Sequence, residues 1–204
     1  MGQAADLDIS VDFATVTRNA ERVRAMLIDL RQRFDLAPFE YCRQVRIAPG
    51  EIPYSHPQIT LNSFVQGELA LLSTYLHEQM HWYVTWYSHT QASSWQRLFT
   101  SLRERYPQVP DAESGGAPDE FSTYLHFPVN WIEIETVSRF FERDHVLEYV
   151  NALPFYRWIY KTVVADWDRL GALFIEQGLI PIRPATEMSA HDLELAARVA
   201  EAAT

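Results

Sequence analysis

One stretch of five residues, His-Glu-Gln-Met-His at positions 77–81, constrains the fold and chemistry of this chain more than any other. Residues four positions apart lie one above the other on the same face of an α-helix. The imidazoles of His77 and His81 can therefore both reach one metal ion at about 2.0–2.1 Å. Apolar residues recur around them at intervals of three and four, which predicts a core-facing helix over residues 67–87. These residues are Leu69, Leu72, Leu76, Met80 and Tyr83.

The glutamate between the two histidines completes the H-E-x-x-H signature of zinc metallopeptidases. Glu78 lies about 100° around the helix from His77, so it can reach a metal-bound water without taking a coordination position. Zinc lowers the pKa of its bound water to about 7, and a neighbouring carboxylate can accept the proton. The plainer interpretation is two ordinary helix histidines, one of them paired with Glu78.

Composition predicts one domain spanning residues 1–204, because 48% hydrophobic and 13% aromatic residues are ample for a core. The net charge of −10 argues against nucleic-acid binding, which needs basic patches. No apolar run has the length of a membrane span, and residues 1–12 lack a signal-peptide pattern. Cys42 is the only cysteine, so an intrachain disulfide is excluded. We therefore expect a cytoplasmic protein without a membrane partner, and the oligomeric state stays open.

The expected fold class is α+β, mostly helical, with a small sheet beside the metal helix. Alternating residues predict strands around positions 41–48 and 58–64. The second strand precedes the metal helix, and as an edge strand it could hold an extended peptide by main-chain hydrogen bonds. A plain hairpin strand fits the sequence equally well. His56, just before the second strand, is either a loop residue or a ligand or substrate contact.

A catalytic zinc ion takes three protein ligands and keeps one open position. The best source of the third ligand is a helix predicted over residues 118–143, which carries His126 and Glu133. Seven residues correspond to about 700° of rotation and about 10.5 Å of rise, so both side chains face one cleft. Coordination of one ion by both is awkward, and one of them is therefore a ligand while the other lies one step further out.

H-E-x-x-H followed by a glutamate from a later helix resembles the gluzincin branch of the zincin metallopeptidases, over about residues 57–145. The pattern is also similar to small uncharacterised bacterial zincin-type proteins. In some gluzincins a tyrosine seven positions before the ligand glutamate stabilises the oxyanion, and this chain has His126 at that position. The resemblance thus implies Zn²⁺ held by His77, His81 and Glu133, with His126 as the oxyanion donor. Many gluzincins carry an aspartate four residues after that glutamate, where this chain has Val137.

The expected function is therefore a zinc metallopeptidase that acts on a peptide or protein, with Glu78 as general base. In a second interpretation His126 is the third ligand and Glu133 supports a ligand from behind. Two other functions stay open: a different zinc-dependent amide hydrolase, and a non-catalytic protein that keeps the metal for structure or interaction. The peptide deformylases use a cysteine ligand, and Cys42 lacks the motif expected around it. Four protein ligands would favour a structural metal, and three plus water would favour catalysis.

Three further expectations concern the connections and the C-terminal part. The irregular stretch 106–119 is either a lid over the site or a flexible loop. Apolar spacing predicts one long helix over residues 154–177. Ser189 is expected to cap a last helix that runs to Glu201.

Overall fold

A computed structural model describes residues 6–11 and 18–200 of the chain. The described residues form one hydrophobic core, and the expected fold class, mostly helical α+β with a small sheet, is confirmed. The strands are β1 (Asp8–Val11), β2 (Gln44–Ile47) and β3 (Ile59–Leu61). The helices are α1 (Arg18–Arg33), α2 (Glu68–Thr90), α3 (Ala92–Arg105), α4 (Glu120–Val137), α5 (Arg143–Ala152), α6 (Arg157–Ala165), α7 (Trp167–Glu176) and α8 (Ala190–Ala196). None of these helices is long and apolar enough to cross a membrane.

The sheet is parallel, with the strands in the order β1-β2-β3. The two predicted strands are present in shortened form, but they do not form a hairpin with each other. Their connection returns the chain to the start of the sheet, so that Val45 pairs with Ile59 in parallel register. The first strand falls within the stretch 1–12, for which the sequence predicted no element.

The outer edge of β3 is occupied by its own chain. The backbone N–H of Thr60 donates to the carbonyl of Tyr54 at 2.8 Å, and the N–H of Tyr54 donates back to Thr60 at 3.2 Å. Thr60 is therefore already paired on the side where an extended peptide would add to the sheet. This pairing removes the main observation behind the predicted peptide-holding strand.

Helix α2 lies in the centre of the molecule, and 16 of its 23 residues are buried. Between positions 71 and 88, only Thr74 and His81 are not buried. The polar groups that this burial takes from water are paired. The amide of Gln79 accepts from and donates to the backbone of Cys42, at 2.9 and 2.8 Å. The hydroxyl of Tyr75 donates to the buried Glu40, which also receives a bidentate pair from Arg31.

The two long helices predicted after the loop are each interrupted. Helix α4 begins after Asp119, whose carboxylate accepts from the backbone N–H of Ser122, and it ends at Val137. A turn and the separate helix α5 follow, so the predicted span 118–143 was too long. The predicted helix 154–177 is broken between α6 and α7 at Asp166, which instead accepts a hydrogen bond from Tyr106. At the C-terminus Ser189 caps α8 as predicted, but α8 ends at Ala196.

The stretch 106–119 is tied down on both sides. The carbonyl of Gly115 accepts from the backbone N–H of Trp158 at 3.0 Å, and the carbonyl of Glu113 accepts from Arg157 at 3.1 Å. At its other end Ala117 donates to the side chain of Thr123 in α4. We call residues 110–117 the strap, because they fasten the start of α6 to the start of α4.

Only glycine fits at position 116 of the strap. A Cβ atom there would lie 2.0 Å from the carbonyl oxygen of Pro110, and this oxygen belongs to rigid backbone. We expect Gly116→Ala to destabilise the protein by about 1–3 kcal/mol, as overpacking does. For a chain of this length that corresponds to a melting temperature lower by at least about 2 °C. The control is Ala112→Ser, which adds one atom at an exposed position of the same strap. Its melting temperature should equal that of wild type. Equal stability of the two variants would contradict the prediction.

Candidate metal centre

Three histidines from two helices come together at the middle of α2. His77 and His81 lie one turn apart on α2, and α4 places His126 opposite them. One nitrogen of each ring lies within 4.8 Å of one nitrogen of the other two. The Nε2 atoms of His77 and His81 are 3.3 Å apart. Two ligands at zinc–nitrogen distances of about 2.0–2.1 Å in a tetrahedron lie about 3.3–3.4 Å apart, so the pair fits a zinc ion.

The second ring nitrogens of two of these histidines are fixed by hydrogen bonds. His126 Nδ1 lies 2.6 Å from the carbonyl oxygen of Ser122, and His77 Nδ1 lies 2.9 Å from Glu133 Oε2. A carbonyl or carboxylate oxygen can only accept, so each Nδ1 carries the proton. The lone pair is thereby left on Nε2 of both rings. This arrangement of a ligand ring held from behind is typical of metal-binding histidines.

Glu133 lies behind His77 rather than beside the other two histidines. Its carboxylate is 1% exposed and accepts hydrogen bonds from Ser73 and His77 of α2 and from Tyr160 of α6, the last at 2.7 Å. The resemblance predicted Glu133 as the third ligand and His126 as the oxyanion donor. The choice of third ligand stays a prediction, but the structure brings His126 to the two motif histidines and bonds Glu133 to His77. The reason is geometric, because the 10.5 Å rise between the two residues lets α4 present only one of them at the level of His81.

The surroundings keep two of the three imidazoles neutral. Burial, with the nearby His126 and His77, holds the pKa of His81 well below its ordinary value. Burial and the neighbouring His77 lower the pKa of His126 to about 3. Burial also disfavours the charged form of His77, but the hydrogen bond and charge of Glu133 outweigh it and raise its pKa. Neutral imidazole is the form that binds a metal, so His81 and His126 need no deprotonation.

Glu78, the predicted general base, follows His77 in α2 and is only 6% exposed. Burial raises the pKa of its carboxyl to about 7, with His77 lowering it and Glu133 raising it. A carboxyl with a pKa near neutrality can both accept and return a proton at that pH.

His56 is placed at the border of the site but outside the three-histidine group. Its ring stacks on Trp82 with centroids 4.6 Å apart, and its two nitrogens bond to Ser55 and to the carbonyl of Ala196. With both nitrogens engaged, His56 acts here as a packed loop residue. Cys42, the other residue weighed as a ligand, is buried and bonds to the carbonyl of Gln44.

Two tyrosines at the site were missed by the sequence reasoning. Tyr160 donates to Glu133, and the ring of Tyr156 packs on His126 with centroids 4.2 Å apart. Both lie beyond the region 57–145 to which the motifs pointed. No spacing signal marks them, because they reach the site through the position of α6. The one hint was the sequence Leu-Pro-Phe-Tyr at 153–156, which indicates a break before a helix.

Comparisons with protein-family models, with curated proteins and with solved structures find no match for this chain. The resemblance to gluzincins therefore rests on the quoted residues alone, and the function has to be argued from the site.

The roles of His126 and Glu133 can be separated by zinc affinity. We expect Glu133→Gln to weaken zinc binding about 10–100-fold, as changes behind a ligand do, because His77 loses its charged partner. His126→Ala should weaken it further, since a ligand is lost. Zinc competition against a chromophoric chelator measures both, with circular dichroism to verify folding. Glu135→Gln, on the same helix and half-exposed, should bind zinc like wild type. A larger loss for Glu133→Gln than for His126→Ala would restore Glu133 as the ligand.

Proposed function

We propose that this protein is a zinc-dependent hydrolase that cleaves peptide bonds, with Glu78 as its general base. The observation that carries the proposal is the group of three histidine nitrogens, together with the buried Glu78 that follows His77 in the same helix. Catalytic zinc sites have three protein ligands and an open position, whereas structural sites are closed by a fourth. In the described part of the chain, the group contains three residues.

In this proposal His77, His81 and His126 hold the metal, and Glu133 orients His77. A zinc ion bound there would lower the pKa of a water molecule to about 7 and polarise a substrate carbonyl. Glu78 would take the proton of that water and hand it to the leaving nitrogen. Burial of Glu78 supports this role, because a carboxyl with a raised pKa returns its proton readily.

His81 is the least buried of the three histidines, so a substrate would approach the proposed site on the side of His81. A peptide or protein segment is the expected substrate. The net charge of −10 disfavours nucleic acid as a partner, and a cytoplasmic location is part of the proposal because the single cysteine needs no oxidising compartment.

One observation favours a second candidate, a zinc-dependent amide hydrolase that acts on small molecules. The outer edge of β3, where an extended peptide would be held, is paired with Tyr54 at Thr60. A small amide needs no strand edge, because contacts within the site can hold it. The two candidates share the metal site and Glu78, and they differ in the length of the substrate.

The test is Glu78→Gln, which keeps the size of the side chain but cannot accept the proton. We expect zinc binding within about threefold of wild type and hydrolysis lower by at least about 100-fold, the contribution of general base catalysis. Fluorescein-labelled casein, a library of quenched peptides and a set of N-acetyl amino acids cover both substrate classes. Glu68→Gln, at the partly exposed start of the same helix, is the matched control and should keep wild-type activity.

Metal dependence completes this experiment. Removal of metal with 1,10-phenanthroline should abolish hydrolysis, and added zinc should restore it. Activity of Glu78→Gln equal to wild type would contradict the assigned general base. Absence of hydrolysis on every substrate class, in a zinc-loaded wild-type protein, would favour a non-catalytic metal-binding role.

A further inference from the structure

We propose that the hydroxyl of Tyr156 donates a hydrogen bond to the oxygen of the reacting carbonyl, and that the strap holds Tyr156 in place for this role. The inference rests on the proposed hydrolase function. It addresses a gap in that function, because His126, as a ligand with its remaining nitrogen bonded to Ser122, has no N–H left for an oxyanion. A hydrogen-bond donor that assists the metal would therefore have to come from another side chain beside the three histidines.

The position of Tyr156 suits the role. Its ring packs on His126 with centroids 4.2 Å apart and lies nearly parallel to His77, with centroids 6.2 Å apart. Burial and then the charge of Glu78 raise the pKa of its hydroxyl to about 12, so the hydroxyl stays protonated near neutral pH and can donate. Tyr156 is half-buried, so part of the side chain remains exposed to solvent.

The hydroxyl of Tyr156 is also uncommitted. Eight of the ten tyrosines of this chain donate their hydroxyl to a protein acceptor. A ninth, Tyr149, has the side chain of Thr74 as its partner. Within residues 6–11 and 18–200, the hydroxyl of Tyr156 has no such acceptor. A half-buried donor without a partner beside a candidate metal centre is suited to bind an oxygen of a ligand.

The backbone at Tyr156 is strained, and the strap maintains that strain. Tyr156 has φ of 51°, the one positive φ among the described non-glycine residues. A left-handed conformation is unfavourable for a residue with a side chain and persists where the surroundings enforce it. The next two residues are both bonded to the strap, Arg157 to the carbonyl of Glu113 and Trp158 to that of Gly115. On this view the stretch 106–119 is a support for Tyr156 rather than a lid.

The proposed step balances without a redox partner. The water oxygen bonds to the carbonyl carbon as Glu78 takes the water proton, and the C=O π pair moves onto the carbonyl oxygen. That oxygen accepts the Tyr156 hydrogen bond, which shortens as negative charge develops. When the pair returns, the C–N bond breaks and the nitrogen takes the proton from Glu78. Tyr156 keeps its own proton throughout.

The first test is the kinetics of Tyr156→Phe, which removes the hydroxyl and keeps the ring on His126. Loss of one oxyanion donor lowers kcat about 100- to 1,000-fold. We expect that loss with KM within about threefold of wild type and unchanged zinc affinity. Tyr54→Phe removes the hydroxyl of a tyrosine whose bonds are to Arg46 and Glu51, and it should leave kcat unchanged. A kcat of Tyr156→Phe within threefold of wild type overturns the proposal.

The second test needs no turnover and separates this proposal from the hydrolase proposal. Acetohydroxamate is titrated into Co²⁺-loaded protein and followed by visible absorption, because its carbonyl oxygen would occupy the place of the substrate oxygen. Loss of one hydrogen bond should weaken its binding to Tyr156→Phe about tenfold, and binding to Tyr54→Phe should equal wild type. Equal affinity in wild type and Tyr156→Phe, or no binding to either, overturns the role of Tyr156. An inactive protein that shows the tenfold difference keeps Tyr156 as the donor and removes only the hydrolase proposal.

Discussion

The carboxylate of Glu133 is the interaction on which the rest of the structure depends. An ionised carboxyl group taken out of water costs several kcal/mol unless hydrogen bonds replace its hydration. Here the replacement comes from Ser73, His77 and Tyr160, so the carboxylate of α4 joins α2 to α6. The same bonds fix the ring of His77 and hold α6, the helix that begins directly after Tyr156. Glu133 therefore contributes both to the packing of α4 against α2 and α6 and to the geometry of the candidate metal centre, and a change at Glu133 would disturb both.

Burial of α2 explains how a polar site lies within a hydrophobic core. Most of the helix is surrounded by apolar contacts, and its internal polar groups are bonded in pairs, as Gln79 is to the backbone of Cys42. Of residues 71–88 in this helix, only Thr74 and His81 are partly exposed. Burial disfavours the charged form of each group, which raises the pKa of Glu78 and lowers that of His126. A low-dielectric surrounding of this kind strengthens the interactions that a hydrolase needs at its reacting centre.

The sequence predicts the elements that follow from a local hydrophobic period. It does not predict the features that depend on contacts between elements far apart in the chain. Helix α2 was predicted within a few residues because its 3.6-residue pattern is long. Rotation along α4 also predicted that His126 and Glu133 face one cleft. It could not decide which of them meets His81, because that depends on the height at which α4 crosses α2. The parallel pairing of β1 with β2 and the contact of Tyr156 with His126 involve residues far apart in the chain. No local pattern encodes them.

The pairing of β3 bears on the length of the substrate that the proposed hydrolase would bind. Thr60 exchanges two backbone hydrogen bonds with Tyr54, so it has none to offer to an extended peptide on that edge. A long unfolded segment would therefore lack main-chain support at this strand, which favours a short peptide or a small amide. An exposed chain terminus or a tight loop, which needs few contacts on either side of the cleaved bond, is the form in which a protein would meet this limit.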